Sequence, residues 1–221
     1  MELKPTNTHK LWELALRDKK MMPAIGYGCA GTGKTYGAVG AAVEWLKSSN
    51  KNTVIVARPN VAYADEVGFL PGTEREKADP WVRPIQQNLN AHGIGKSHQE
   101  DLEKLGKLQY QTLAFVQGMT FDNAFIIVDE CQNMTYSQIK MMFTRVGNWS
   151  KLVLCGDISQ VSKNFENSGL GEWLAMVEHF DLPYHTIKFT RDDIMRGPVC
   201  KQTIIACEDW EAIRDNHYTK P

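Results

Sequence analysis

The stretch Gly28-Cys29-Ala30-Gly31-Thr32-Gly33-Lys34-Thr35 decides the fold expected of this chain. It fits G-x-x-x-x-G-K-[ST], a loop in which glycines let several backbone N–H groups point at one phosphate. Lys34 is suited to reach the β- and γ-phosphates of a nucleotide, and the Thr35 hydroxyl is suited to bind Mg²⁺. The stretch therefore predicts a nucleoside triphosphate site, the alternative being a glycine-rich turn that matches by accident.

The residues on both sides of this loop favour the first interpretation. Residues 23–27 read as a short buried strand, and apolar residues then recur at helical spacing, namely Ala38, Ala41, Ala42, Trp45 and Leu46. A strand, this loop and a helix place a phosphate at a helix N-terminus, where free N–H groups and the helix dipole favour an anion. The predicted nucleotide-binding residues are Gly28, Cys29, Ala30, Gly31, Thr32, Gly33, Lys34, Thr35 and Tyr36.

Two further apolar runs end in polar residues. The first is Phe125-Ile126-Ile127-Val128-Asp129-Glu130, read as a buried strand followed by two carboxylates. Because ligands of α/β sheets bind at the carboxyl ends of strands, Asp129 is expected to hold Mg²⁺, directly or through water. Glu130 is expected to polarise the attacking water, since a general base must not be tied to the metal. The alternative is an exposed acidic strand end.

The second apolar run spans residues 151–160 and ends at Gly156-Asp157-Ile158-Ser159-Gln160. Asp157 and Gln160 are expected to project near the γ-phosphate and to sense its presence. An ordinary β-turn at Gly156-Asp157 is the alternative, with even odds if this run is considered alone.

Composition sets the class of protein. The chain has 221 residues, 43% of them hydrophobic, with a net charge of −1. One α/β domain over residues 1–221 is expected, and any nucleic-acid binding must use a local patch. The sequence has no apolar run long enough to span a bilayer and no signal-peptide core at its N-terminus, so no membrane partner and a cytoplasmic location are expected. The five cysteines lack C-x-x-C spacing, which argues against zinc.

The order of patterns predicts a parallel sheet. About five strands alternate with helices, one of them near Val54, and Thr135-Tyr136-Ser137-Gln138 reads as a capping box. Residues from about 60 to 120 do not fit this alternation and are interpreted as an insertion after the second core strand. Long insertions are often functional.

The insertion and the strand end before it suggest a contact with single-stranded nucleic acid. Cations with an aromatic residue between them suit phosphate contacts and base stacking. The candidate residues are Arg58, Lys77, Trp81 and Arg83. The alternative, which is slightly favoured, is that Trp81 covers the core and the charges are solvated.

Taken together, the chain resembles the PhoH-like family of ATPases from about Pro5 to Cys200. The matching runs are the phosphate loop, RPNV at 58–61, GFLPG at 68–72, Lys77 with Pro80 and Pro84, FIIVDECQN at 125–133, FTRVG at 143–147, GDISQ at 156–160, SGL at 168–170 and DIMR at 193–196. The resemblance implies a RecA-like fold in which an extra strand separates the two phosphate-site strands. It also implies ATP hydrolysis with Mg²⁺, assembly into a homo-oligomeric ring with a hexamer favoured, and a link to RNA.

Some family features are replaced here. The stretch Thr6-Asn7-Thr8-His9 stands where the family has a glutamine that reads adenine, and Gln117 stands where it has an arginine. No PIN nuclease domain accompanies the motifs, so no nuclease activity is expected. The compact form is similar to phage-encoded members, for which the location would be the host cytoplasm.

The function expected is therefore an ATPase that acts on, or is regulated by, RNA or single-stranded DNA. A nucleotide-switched binding module and, with less support, a small-molecule kinase are the alternatives. Arg145 and Arg196 are the candidates for an arginine that stabilises the transition state from a neighbouring subunit, with Arg196 slightly ahead. For each, the alternative is a surface arginine that pairs with a nearby aspartate.

Overall fold

Six parallel strands form the sheet at the centre of the structure, a computed structural model that describes residues 4–59, 74–116, 118–158 and 168–218. The strands are β1 (Ala24–Gly28), β2 (Thr53–Arg58), β3 (Leu108–Thr112), β4 (Ala124–Val128), β5 (Lys151–Gly156) and β6 (His185–Phe189). The helices are α1 (Asn7–Leu16), α2 (Lys34–Ser48), α3 (Glu74–Ala91), α4 (Lys96–Lys104), α5 (Leu113–Val116), α6 (Tyr136–Phe143), α7 (Leu170–His179) and α8 (Pro198–Tyr218). Helices flank a parallel sheet, as the sequence predicts.

The strand order is β3-β2-β4-β5-β1-β6. The strand β5 thus lies between β1, which leads into the phosphate loop, and β4, which ends at the carboxylate pair. Ile25 of β1 and Val128 of β4 both pair with Leu154 of β5, so the three strands end close to one level. The predicted extra strand between the two phosphate-site strands is confirmed.

Hydrophobic residues cover both faces of the sheet. One buried cluster joins β1, β2 and β4 to α1, α2 and α3, and includes Trp12 and Ala38. A second cluster on the other face joins the sheet to α6 and α7, and includes Met142 and Trp173. The predicted capping box is present at α6, where the Thr135 hydroxyl accepts from the Gln138 N–H and the Gln138 side chain accepts from the Thr135 N–H.

The segment interpreted as an insertion contains regular structure. The strand β3 within it pairs with β2 at the edge of the core sheet, so the sheet has six strands where about five were expected. The helix α3 runs on through Pro84, where proline would ordinarily break a helix. Its buried residues Val82, Ile85 and Leu89 recur at helical spacing, and their packing on the core outweighs the local preference.

Candidate nucleotide-binding site

The phosphate loop joins β1 to α2 by a backbone path that requires glycine. Gly28, Gly31 and Gly33 have φ of 108°, 69° and 81°, in the left-handed region where a Cβ atom is disfavoured. Gly33 is the residue that precedes the first turn of α2, so the free N–H groups of that turn face the loop. This is the arrangement that the sequence predicts for an anion site.

Lys34 is folded back onto the loop and is almost fully buried. Its Nζ donates to the carbonyl oxygens of Gly28 and Cys29, both at 2.6 Å, and to the Thr32 hydroxyl at 3.2 Å. Burial lowers the pKa of Lys34, and the carboxylate of Asp157 acts in the opposite direction. The ammonium group is thus held at the centre of the loop, where a phosphate would meet it.

Segments from both sides of the loop hold its backbone. The indole of Trp12 donates to the Lys34 carbonyl at 3.0 Å, and the His9 Nε2 lies 2.9 Å from the Thr32 carbonyl. The Met195 N–H donates to the Gly31 carbonyl at 2.9 Å. Sequence reasoning missed these supports, because contacts between distant parts of the chain leave no local pattern.

The acidic strand end approaches the loop through one hydrogen bond. The Thr35 hydroxyl donates to Asp129 Oδ1 at 2.8 Å. Burial raises the pKa of Asp129, as does the adjacent Glu130, whereas the Thr35 hydroxyl and the Arg58 guanidinium oppose the rise. A buried carboxylate beside a hydroxyl offers the hard oxygen ligands that Mg²⁺ prefers and gains from a cation, so the residues fit the predicted metal.

Glu130 lies beside this pair in an unusual backbone conformation. Its φ of 56° is in the left-handed region, where residues other than glycine are uncommon and functional sites are over-represented. Its Oε2 accepts a hydrogen bond from Gln132 Nε2 at 2.6 Å, and its Oε1 lies 3.7 Å from the Arg58 guanidinium. The side chain is therefore separate from the Thr35–Asp129 pair, as a water-activating residue requires.

These groups share one cleft of about 390 Å³. Its lining includes the loop residues 30–36, Asp129 and Glu130 after β4, Asp157 after β5, and Arg196. Helix α3 closes another side with Pro84, Gln87 and Asn88, which no sequence motif had marked as site residues. Tyr36 is half-exposed at the cleft and contacts His92, with ring centroids 4.3 Å apart and ring planes inclined at 38°.

Other predicted site residues lie elsewhere. Arg145 donates to the Met119 carbonyl, and the Phe121 N–H donates to the Arg145 carbonyl. Phe121 precedes β4, so Arg145 lies at the amino edge of the sheet, opposite Asp129. Arg145 is not part of the cleft lining in the described residues, and its predicted role as an arginine that acts on a neighbouring subunit stays a prediction. Gln160 and the side chain of Lys77 lie outside the described residues.

The remaining nucleic-acid candidates have structural contacts. Trp81 packs against the core, with its ring 6.0 Å from that of Tyr110, which is the contact expected if it covers the core. Arg58 lies beside Glu130, and Arg83 is on the exposed side of α3. A role for these three residues in nucleic-acid binding stays a prediction.

A phosphate loop between β1 and α2, with a carboxylate pair after β4 of a RecA-like parallel sheet, defines a P-loop NTPase. Among solved structures, the large terminase of a thermophilic bacteriophage in complex with ADP has this fold. The similarity has a TM-score of 0.57 at 16% identity and covers 90% of this chain and 49% of that one.

The family follows from sequence comparison. The family model described as PhoH-like protein matches residues 4–208, and the chain therefore belongs to the PhoH family. It is 39% identical over 183 residues to the PhoH-like protein of Bacillus subtilis, covering 82% of this chain and 57% of that protein. It is 42% identical over 185 residues to that of Synechocystis, covering 82% and 55%. The chain thus spans somewhat more than half the length of these curated relatives.

None of the helices in the described ranges is both long enough and apolar enough to cross a membrane.

Proposed function

We propose that this P-loop NTPase of the PhoH family hydrolyses ATP with Mg²⁺ and acts on, or is regulated by, single-stranded nucleic acid. The observation that carries the hydrolysis is the division between the two carboxylates. Asp129 accepts from Thr35 at 2.8 Å, whereas Glu130 is held apart by Gln132. A protein that only binds nucleotide has no need of a second carboxylate placed beside the metal ligands.

In this proposal, the loop N–H groups and Lys34 bind the β- and γ-phosphates, and Thr35 and Asp129 hold the magnesium ion. When bound, Mg²⁺ supplies positive charge across the β- and γ-phosphate oxygens. Glu130 orients the attacking water and accepts its proton. Asp157 and Arg196 both line the cleft. In this proposal Asp157 would meet the γ-phosphate from the end of β5, and Arg196 would add a cation from its own chain.

The assembly and the partner rest on the family resemblance and on a few side chains. We infer one domain over residues 1–221 that assembles into a ring, a hexamer being favoured. Arg58, Lys77, Trp81 and Arg83 are the candidates for contact with the strand. Strand separation would need neighbouring subunits, because one RecA-like domain cannot form the cleft between two such domains.

Phosphate release tests the proposal. The purified chain is assayed with ATP, with and without Mg²⁺ and with and without a single-stranded RNA oligonucleotide of mixed sequence. The variant Lys34→Ala should lower turnover by about 10- to 100-fold, because a hydrogen bond from a charged donor contributes about 1.5–3 kcal/mol. The control is Lys47→Ala, since Lys47 is an exposed residue in the last turn of the same helix.

Each outcome decides a part of the proposal. Turnover that needs Mg²⁺ and Lys34 supports hydrolysis at this cleft, and stimulation by RNA supports the nucleic-acid role. Equal turnover in the parent and in a folded Lys34→Ala variant would place any activity outside this loop. A parent that binds ATP without releasing phosphate would favour the nucleotide-switched module.

A further inference from the structure

Gln132, which holds Glu130 apart from the Thr35–Asp129 pair, also connects two elements of the cleft. It lies in the turn after β4 and is buried, with 1% of its surface exposed. Its Nε2 donates to Glu130 Oε2 at 2.6 Å, and its Oε1 accepts from the Asp157 backbone N–H at 3.0 Å. One side chain thus joins the carboxylate after β4 to the end of β5.

The chemistry of the two partners fixes the orientation of this amide. An ionised carboxylate can only accept a hydrogen bond, and a backbone N–H can only donate one. The amide nitrogen of Gln132 must therefore face Glu130, and its oxygen must face Asp157. The reversed orientation would set oxygen against oxygen and nitrogen against nitrogen, leaving buried polar groups unpaired at a cost of about 1–3 kcal/mol each.

The end of β5 leaves room for this amide. A Cβ atom at Gly156 would lie 2.9 Å from Gln132 Oε1 and 2.6 Å from Cys131 Sγ, both closer than real Cβ contacts. Glycine at position 156 therefore permits the close approach of the Gln132 side chain to the β5 backbone. Its φ is not in the left-handed region, so packing rather than backbone conformation is what requires glycine there.

We propose that Gln132 is a positioning residue for hydrolysis, which fixes the Glu130 carboxylate relative to the end of β5. The inference rests on the proposed function. A neutral amide can orient a carboxylate without placing a cation on it, so the Glu130 carboxylate stays available to the attacking water. The same amide ties Glu130 to the end of β5, which also lines the cleft, and a displacement of about 1 Å can lower a rate by about 100-fold.

Two variants separate the two hydrogen bonds. Gln132→Glu keeps the shape and the acceptor for the Asp157 N–H, and in its ionised form it has no donor for Glu130. Gln132→Met removes both bonds and keeps the approximate length of the side chain. The matched control is Gln138→Met, because Gln138 also has a hydrogen-bonded side-chain amide, but its amide caps helix α6 away from the cleft.

The measurements are kcat and KM for phosphate release, ATP affinity, and thermal unfolding. Both Gln132 variants should lower kcat by roughly 10- to 100-fold, with KM and ATP affinity within about twofold of the parent. Gln138→Met should lower thermal stability and leave kcat unchanged. If Gln132→Met does not fold, Gln132→Glu alone decides the matter, since it keeps the buried contact to Asp157.

Repeating the Gln132 substitution in a Glu130→Gln variant tests whether Gln132 acts on hydrolysis through Glu130. In Glu130→Gln protein, Gln132→Met should change the remaining single-turnover rate by less than about twofold, since the residue acts through Glu130. An equal loss in both backgrounds, or normal kcat in Gln132→Glu, would overturn the inference and leave the proposed function intact. A parent without phosphate release would overturn both.

Discussion

Lys151 at the start of β5 should make the stability of this protein rise with pH above neutrality. Its side chain is 1% exposed, and its Nζ donates to the Met22 carbonyl at 2.8 Å. Burial lowers the pKa of Lys151 to about 8, with partial opposition from the Asp18 carboxylate. The unfolded chain therefore holds a proton on this residue over a range of pH where the folded chain does not.

The sign and size of the effect follow from proton linkage. Between pH 8 and the ordinary lysine pKa near 10.5, the unfolded state binds more protons, so the free energy of unfolding increases with pH. A shift of that size corresponds to about 3 kcal/mol at 1.36 kcal/mol per unit. The free energy of unfolding should therefore increase by about 2–3 kcal/mol between pH 7 and pH 10.

The perturbation is Lys151→Met, which keeps the apolar stem and removes the titrating group. At pH 7 the variant avoids the cost of a buried ammonium but leaves the Met22 carbonyl without its donor, at about 1–3 kcal/mol. The two unfolding free energies should therefore be similar at pH 7. At pH 10 the parent should be the more stable by about 2 kcal/mol.

Urea unfolding followed by far-ultraviolet circular dichroism at pH 7, 8, 9 and 10 measures this difference, with a reductant present for the cysteines. Lys188→Met serves as the control, because Lys188 is an exposed lysine on strand β6. The free energy of unfolding of Lys188→Met should change with pH in the same way as that of the parent. Parallel curves for the parent and Lys151→Met over the whole pH range would refute the reasoning.

Three further predictions concern the cleft and α3. Glu130→Gln should retain ATP and hydrolyse it slowly, whereas Asp129→Asn should lose Mg²⁺-dependent binding; identical Mg²⁺-dependent nucleotide binding by the two would contradict the division of roles. Arg196→Ala should lower kcat at least about tenfold, and mixing it with Lys34→Ala subunits should restore no phosphate release, because Arg196 lines the cleft of its own chain. Recovery in the mixture would show action between subunits. Trp81→Ala should lower the free energy of unfolding by about 3 kcal/mol, measured in urea, because its ring packs on Tyr110. Unchanged unfolding with lost RNA binding would instead indicate base stacking.

Local patterns predicted much of the fold and of the cleft. The phosphate loop combines glycines, a lysine and a hydroxyl at fixed spacing, and the acidic strand end combines a four-residue apolar run with two carboxylates. Both features depend on neighbours in sequence, so Lys34, Thr35, Asp129 and Glu130 could be selected without a structure. The strand order followed from the family resemblance, since periodicity alone does not order parallel strands.

The residues that were missed act through distant contacts. Nothing near Trp12 in the sequence shows that its indole donates to the Lys34 carbonyl 22 positions later. The strand β3 lies at the edge of the sheet and is only partly buried. It therefore carries polar residues at Gln109 and Gln111 and lacks the apolar run that marks a central strand in the sequence. Arg145 was selected because it lies in the run FTRVG at 143–147, and the sequence does not show that helix α6 carries this residue away from the cleft.

The hydrogen bonds of Lys34 to its own loop affect how the site can discriminate between nucleotides with different numbers of phosphates. The Lys34 ammonium group already uses its three N–H donors, on two carbonyls at 2.6 Å and on the Thr32 hydroxyl at 3.2 Å, so it gains from a new acceptor only if that acceptor replaces one of these bonds. The phosphate-loop pattern predicts that the β-phosphate of a di- or triphosphate would meet this lysine and could replace these bonds, whereas a monophosphate would leave them in place. We therefore expect the preference for ADP or ATP over AMP to depend on this exchange of hydrogen bonds at Lys34.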